Sequence, residues 1–151
     1  THLLYLKHMA ALTTPTAASV LPSTTAVVQV FTAGGTITIG KPVYNSTGST
    51  VIEANADSTG SAAVATAIGV ALNSCASGQR VMVCLADATF THGFTASEIT
   101  PGAFVYLDDT LGAYTVTAGD LTAGDYITFI GQINNPETTM NLAPKAPILS
   151  A

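Results

Sequence analysis

The chain has 151 residues, of which 48% are apolar and only 9% charged, with a net charge of -5 at neutral pH. That length is one domain with room for a real core, and the high apolar content excludes the disordered class, which combines low hydrophobicity with high net charge. The cations Lys7, Lys41, Arg80 and Lys145 form no basic stripe for nucleic acid or an anionic membrane, and no apolar run reaches the roughly 18 to 20 residues of a membrane helix.

Residues 1–12 have Leu3, Leu6 and Met9 at helical spacing, which predicts a short helix, marginal by itself in water. Leu3-Leu4-Tyr5-Leu6 is too short for a signal-peptide core, and with a Thr1 start the chain is expected to be made and used without secretion. From Thr13 to Thr25 the composition is Thr, Ala, Ser and Pro, with Pro15 and Pro22, which predicts an extended arm. No charge occurs between Lys7 and Lys41, so residues 1–25 are expected to dock along the edge of a neighbouring molecule.

Strands are predicted over Val27–Phe31, Thr36–Ile39, Val43–Asn45 and Val51–Glu53, then a loop over Asn55–Ala63. Two runs rich in β-branched residues, Val64–Asn73 and Gln79–Ala86, flank an Ala-Ser-Gly turn and predict a central hairpin. Further strands are expected over Thr89–Phe94, Ala103–Leu107, Ala113–Val116, Tyr126–Ile133 and Thr139–Leu142, before a tail extended by Pro144 and Pro147. Short strands with Gly or Pro between them and no long helical period predict a β-sandwich or small barrel. The expected organisation is an arm over 1–25, a β domain over 26–143 and a tail over 144–151.

The sequence also matches itself. A shift of 62 residues lays Ile37 on Ile99, Gly40 on Gly102, Val43 on Val105 and Tyr44 on Tyr106, then Thr66 on Thr128, Ile68-Gly69 on Ile130-Gly131 and Asn73 on Asn135. This predicts one supersecondary unit used twice. In it, Gly69 and Gly131 mark a bulge or a close backbone approach, and Tyr44 and Tyr106 are equivalent structural residues.

Chemical motifs are few. Gly35-Thr36-Ile37-Thr38-Ile39-Gly40-Lys41 imitates a phosphate-binding loop, but Pro42 stands where a magnesium-binding Ser or Thr is needed, and Thr-Ile-Thr-Ile alternates as a strand. His2, His8 and His92 are far apart in sequence, and His92 between Thr91 and Gly93 reads as a loop residue. Asp108-Asp109 and Asp120 with Asp125 read as solvated turn caps, because calcium wants a denser alternation of oxygen ligands. Cys84 is expected opposite about Leu72 and Cys75 beside the turn, leaving two free, partly buried thiols. Asn45-Ser46-Thr47 is formally a glycosylation acceptor. No catalytic, cofactor-binding or metal-binding residue is assigned, and no enzyme activity or cofactor is expected.

Gly40-Lys41-Pro42-Val43-Tyr44, Ile68-Gly69-Val70-Ala71-Leu72, and Ala76-Ser77-Gly78-Gln79 followed by Val81-Met82-Val83 resemble the pattern of tailed-phage capsid decoration (cement) proteins. That pattern is a Gly-x-Pro-Val strand, a Val/Ile-Gly-Val-Ala-Leu strand, an Ala-x-x-Gly turn and a Val-x-Val strand, and the resemblance covers about residues 26 to 134. It implies an all-β fold, a small β-sandwich or barrel of β-tulip type. It also implies a homotrimer on the outer surface of a phage capsid, made in the host cytoplasm, with the major capsid protein and itself as partners. The rival expectation is a β-rich head-fibre or receptor-binding module, which the lack of Trp and the 7% aromatic content disfavour.

Overall fold

The computed structural model describes residues 11–57, 61–117 and 125–149. The strands are β1 (Val27–Ala33), β2 (Pro42–Thr47), β3 (Thr50–Glu53), β4 (Ala67–Ala71), β5 (Arg80–Thr91) and β6 (Phe104–Leu107). They continue with β7 (Tyr114–Thr115), β8 (Tyr126–Ile127), β9 (Phe129–Ile133), β10 (Thr139–Leu142) and β11 (Ile148–Leu149). Apart from 3-10 turns at Ala17–Ser19 and Ala96–Glu98, the described chain is strand and loop, the all-β barrel class that the short alternating segments predict.

The spine is β5. Its first half pairs antiparallel with β1 (Val30↔Met82) and β4 (Val70↔Cys84), and its second half pairs with β10 (Phe90↔Met140). Since β1 also pairs in parallel with β3, β3 with β2 and β2 with β4, the order β1-β3-β2-β4-β5 returns to β1 and closes a barrel. Its interior is filled by Phe31, Ala33, Ile37, Val43, Val51, Ala71, Val81 and Val83. Beyond the barrel, β5, β10, β9, β6 and β7 extend the same sheet. Their inward residues, including Phe90, Val105, Leu107, Ile133 and Met140, join a second core that reaches Ala67, Val70 and Cys84 on the outside of the barrel.

The internal repeat is physical. In the first unit Val43 faces Gly69 and Tyr44 faces Ala67 across a bulge; in the second Val105 faces Gly131 and Tyr106 faces Phe129 across the same bulge. The turns before these strands match too. Gly40 and Gly102 hold φ of +87 and +86, and their N–H groups donate to the Ala71 and Ile133 carbonyls at 2.8 Å each. Gly69 and Gly131 are required for the same reason: a Cβ at either would run into a backbone carbonyl oxygen, that of Cys84 or of Asn141.

Several expectations change. The strands predicted over Gln79–Ala86 and Thr89–Phe94 are one continuous strand, β5, because Asp87 and Ala88 carry it from one half of the sheet to the other. Thr36–Ile39 is not a strand; only Ile37 bridges to Cys75. Cys84 lies opposite Val70, not Leu72, because Asn73 leaves the ladder and caps it: its Oδ1 accepts from the Met82 N–H at 2.7 Å. The tail is extended as predicted, and its end adds a strand, with Ile148 opposite Ile127.

The arm is the main correction. Residues 11–25 dock on their own domain, not on a neighbour. The Leu12 N–H donates to the Tyr114 carbonyl at 2.8 Å, the Thr16 N–H to Gly93 at 2.9 Å, and Leu21 exchanges both backbone bonds with Thr91 at 3.0 Å. The arm thereby fills the gap between β7 and the second half of β5, as β1, paired with both β3 and the first half of β5, fills the corresponding gap in the first unit. Leu12, Pro15 and Val20 are buried in this seam, and unpaired edge groups of two strands explain why it binds there. The helix expected over 1–12 falls almost wholly outside the described residues.

Candidate functional site

The residues that imitate a phosphate loop end at β2, which starts at Pro42; no helix N-terminus follows to aim backbone N–H groups at a phosphate. Glu53 is buried beside that loop and accepts from the Thr38 N–H at 3.0 Å, so a carboxylate already takes a backbone donor of the loop. Lys41 runs past Glu53 at Gly112, where a Cβ would meet both side chains at 2.8 Å.

His92 follows β5 directly as a loop residue, as the sequence predicts, and it is buried. Its Nδ1 accepts from the Phe94 N–H at 2.9 Å, so the proton sits on Nε2, which donates to the Glu137 carbonyl at 2.5 Å. The ring stacks on Phe94 with centroids 4.7 Å apart. Burial lowers its pKa from the ordinary value. Both nitrogens are occupied with structural partners, so the ring offers neither a base nor a ligand position. His2, His8 and Asp120 lie outside the described residues.

Asp108 and Asp125 are buried, which corrects the expectation of solvated caps. Asp108 Oδ2 does close a turn, accepting from the Thr110 N–H at 3.0 Å. Burial, followed by the Asp108 and Asp125 charges, raises the Asp109 pKa. Among the described residues no group of His, Cys, Asp and Glu side chains is arranged to hold a metal ion. Cys75 is partly buried and Cys84 fully so, both as free thiols; burial, then the Asp87 charge, pushes the Cys84 thiol up to about 11. The Asn45 amide donates to the Gly48 carbonyl at 2.7 Å in the β2–β3 turn.

What the surface offers is apolar. On the outer face of β6, Phe104 is 49% exposed and stands edge-on to Phe129, with centroids 5.7 Å apart; Tyr106 flanks Phe129 at 6.3 Å. The tail crosses beside them, held by the Lys145 N–H donating to the Phe129 carbonyl at 2.9 Å and by the β8–β11 pairing. Together they enclose a groove of about 350 Å³ lined by Phe104, Tyr106, Ile127, Phe129, Lys145 and Ile148. Sequence alternation identified the strand but not the exposure of its aromatic face, since Tyr106 reads as a structural twin of Tyr44.

No helix among the described residues is long and apolar enough to cross a membrane. Comparison with protein-family models and with curated proteins finds no match to this chain.

Proposed function

We propose that this chain is a capsid decoration protein: a structural, non-catalytic protein that binds between major capsid protein capsomers on the outer surface of a phage head, as a homotrimer. The observation that carries the reading is spatial. The stretches that resemble decoration proteins, 40–44, 68–72, 76–79 and 81–83, are scattered in sequence but lie on the adjacent strands β2, β4 and β5 and the turn between the last two. They are one wall of the closed barrel. A surface with few charges and exposed apolar strips suits a protein whose work is contact, and many weak contacts repeated over a closed shell give large avidity.

The test is addition of the purified chain to heads that lack their native copy, followed by sedimentation and electron microscopy. Retention in copy numbers matched to the capsid lattice, with density between capsomers, is expected. Failure to be retained, or density confined to a single vertex or fibre, would overturn the reading, the second outcome in favour of a head-fibre module.

A further inference from the structure

We propose that the arm over residues 11–21 is a strap released by acid, and that His92 is the group whose protonation releases it while the barrel stays folded.

The position of His92 supplies the first argument. Both of its chain neighbours anchor the arm: Thr91 exchanges backbone bonds with Leu21, and the Gly93 carbonyl accepts from the Thr16 N–H. Its ring stacks on Phe94, whose ring stands edge-on to Tyr114 with centroids 5.1 Å apart, and the Tyr114 carbonyl accepts from the Leu12 N–H. The backbone bonds of Leu12, Thr16 and Leu21 therefore all end beside His92 in sequence or on a ring packed next to its own. Gly93 transmits any movement directly. Its φ is +76, and a Cβ there would lie 2.9 Å from the Thr16 carbonyl oxygen, so this loop cannot shift without displacing the arm.

The second argument concerns the proton. The docked ring is neutral, since Nδ1 accepts from the Phe94 N–H while Nε2 faces the Glu137 carbonyl. A proton on Nδ1 sets two donors face to face, so the ring must turn or the Phe94 amide must leave. Thr16 and Ser19 of the arm, with Thr91 and Thr138, complete a cavity of about 220 Å³ beside the ring. Undocking the arm removes that wall and gives an imidazolium access to water. Burial lowers the docked pKa, so the undocked state takes up the proton first, and release is favoured as the pH falls below about 6.5.

The surroundings leave His92 as the group that titrates in this window. The arm brings no charge to it. Glu137 lies on the turn before β10 and contributes its carbonyl; Tyr114 stands behind Phe94. Two carboxylates hold the arm further off, Glu98 through the Thr13 N–H and hydroxyl and Asp87 through Ser23. The arm contributes Leu12 and Val20 to the second core and nothing to the barrel interior, so it can open below the free energy of global unfolding.

The test is hydrogen exchange of the full chain at pH 8, 6.5 and 5.5, with rates over residues 11–23 and over β1 and β4 each divided by the unstructured rate at the same pH. Protection of the arm is expected to fall below pH 6.5 by at most about tenfold per pH unit, the limit for one proton, while β1 and β4 keep theirs. His92→Gln, which gains no proton in this range, should hold the arm's protection constant. Arm protection that is indifferent to pH, or that falls in step with β1 and β4, would overturn the inference, and the wild-type chain alone reads both outcomes. A fall that persists in His92→Gln would also overturn it and assign the release to Glu98 and Asp87.

Discussion

Ser23 and Asp87 hold each other across the fold: the Ser23 N–H donates to Asp87 Oδ2 at 2.7 Å and its hydroxyl to Oδ1 at 2.5 Å. Asp87 sits where β5 leaves the barrel for the second half of the sheet, and its Oδ1 also accepts from the Thr89 N–H at 3.1 Å. One buried carboxylate therefore fixes both the end of the arm and the crossing of the spine strand. Asp87→Ala should cost about 1–3 kcal/mol, since it removes three charge-assisted hydrogen bonds that a buried carboxylate accepts from Ser23 and Thr89. Ser23→Ala should cost about 1 kcal/mol. Urea unfolding of both and of the double variant should show less than additive loss, as residues sharing one interaction do.

Leu12 and Val20 anchor the arm in the second core. Leu12→Ala should cost about 2–3 kcal/mol, and removal of residues 1–25 should lower the melting temperature by more than this single substitution does. An unchanged melting temperature of the truncated chain would show that the arm is not part of the fold.

The two strand glycines should be intolerant. Gly69→Ala and Gly131→Ala each force a Cβ onto a carbonyl of the adjacent strand, and a paired backbone cannot step aside. Losses above about 3 kcal/mol are expected. Gly35→Ala meets nothing within 4 Å and needs no left-handed backbone, so it should change stability by less than about 0.5 kcal/mol in thermal unfolding.

His92 predicts an acid sensitivity. Its folded pKa is depressed below 6.5 by burial, so the unfolded chain takes up its proton first and stability falls as the pH drops below about 6.5. The slope is at most ~1.4 kcal/mol per pH unit for one proton. Above that window the neutral ring is fully stabilising. Subtracting the melting curve of His92→Gln from that of the native chain between pH 8 and 5 should isolate this slope, and a flat difference would refute it.

Asp109 predicts the opposite sign. Its raised pKa means that the folded state binds the proton more readily, so the charged form weakens the fold at neutral pH and acid relieves the penalty. Asp109→Asn, which imitates the protonated group, should raise the melting temperature at pH 7. The gain should vanish below about pH 4, near the ordinary carboxylate pKa.

The thiols should react unequally. With a pKa of about 11 and full burial, Cys84 should be inert to a thiol reagent at pH 8 until urea unfolds the chain. Cys75, partly exposed, should be modified first, and one fast and one unfolding-limited phase should appear.

Local chemistry alone was enough to determine the class of fold and the repeat. Alternation in Val81-Met82-Val83 and in Phe104-Val105-Tyr106-Leu107 defines strands because side chains alternate across any strand. Gly40 and Gly102 define turns because only glycine takes their positive φ without strain. The shift that pairs Val43-Tyr44 with Val105-Tyr106 is visible because both units meet the same demands at the same positions. Partnership was not legible. Nothing local distinguishes an arm that docks on a neighbour from one that docks at home, since the edge groups waiting for Leu12, Thr16 and Leu21 belong to residues 91 to 114. Likewise the alternation that places Tyr44 and Tyr106 on outward faces is identical in the two units. Only the tertiary arrangement decided that the first face is covered while the Phe104 side of the second stays open, because burial depends on what the distant chain brings across a face and not on the face's own sequence.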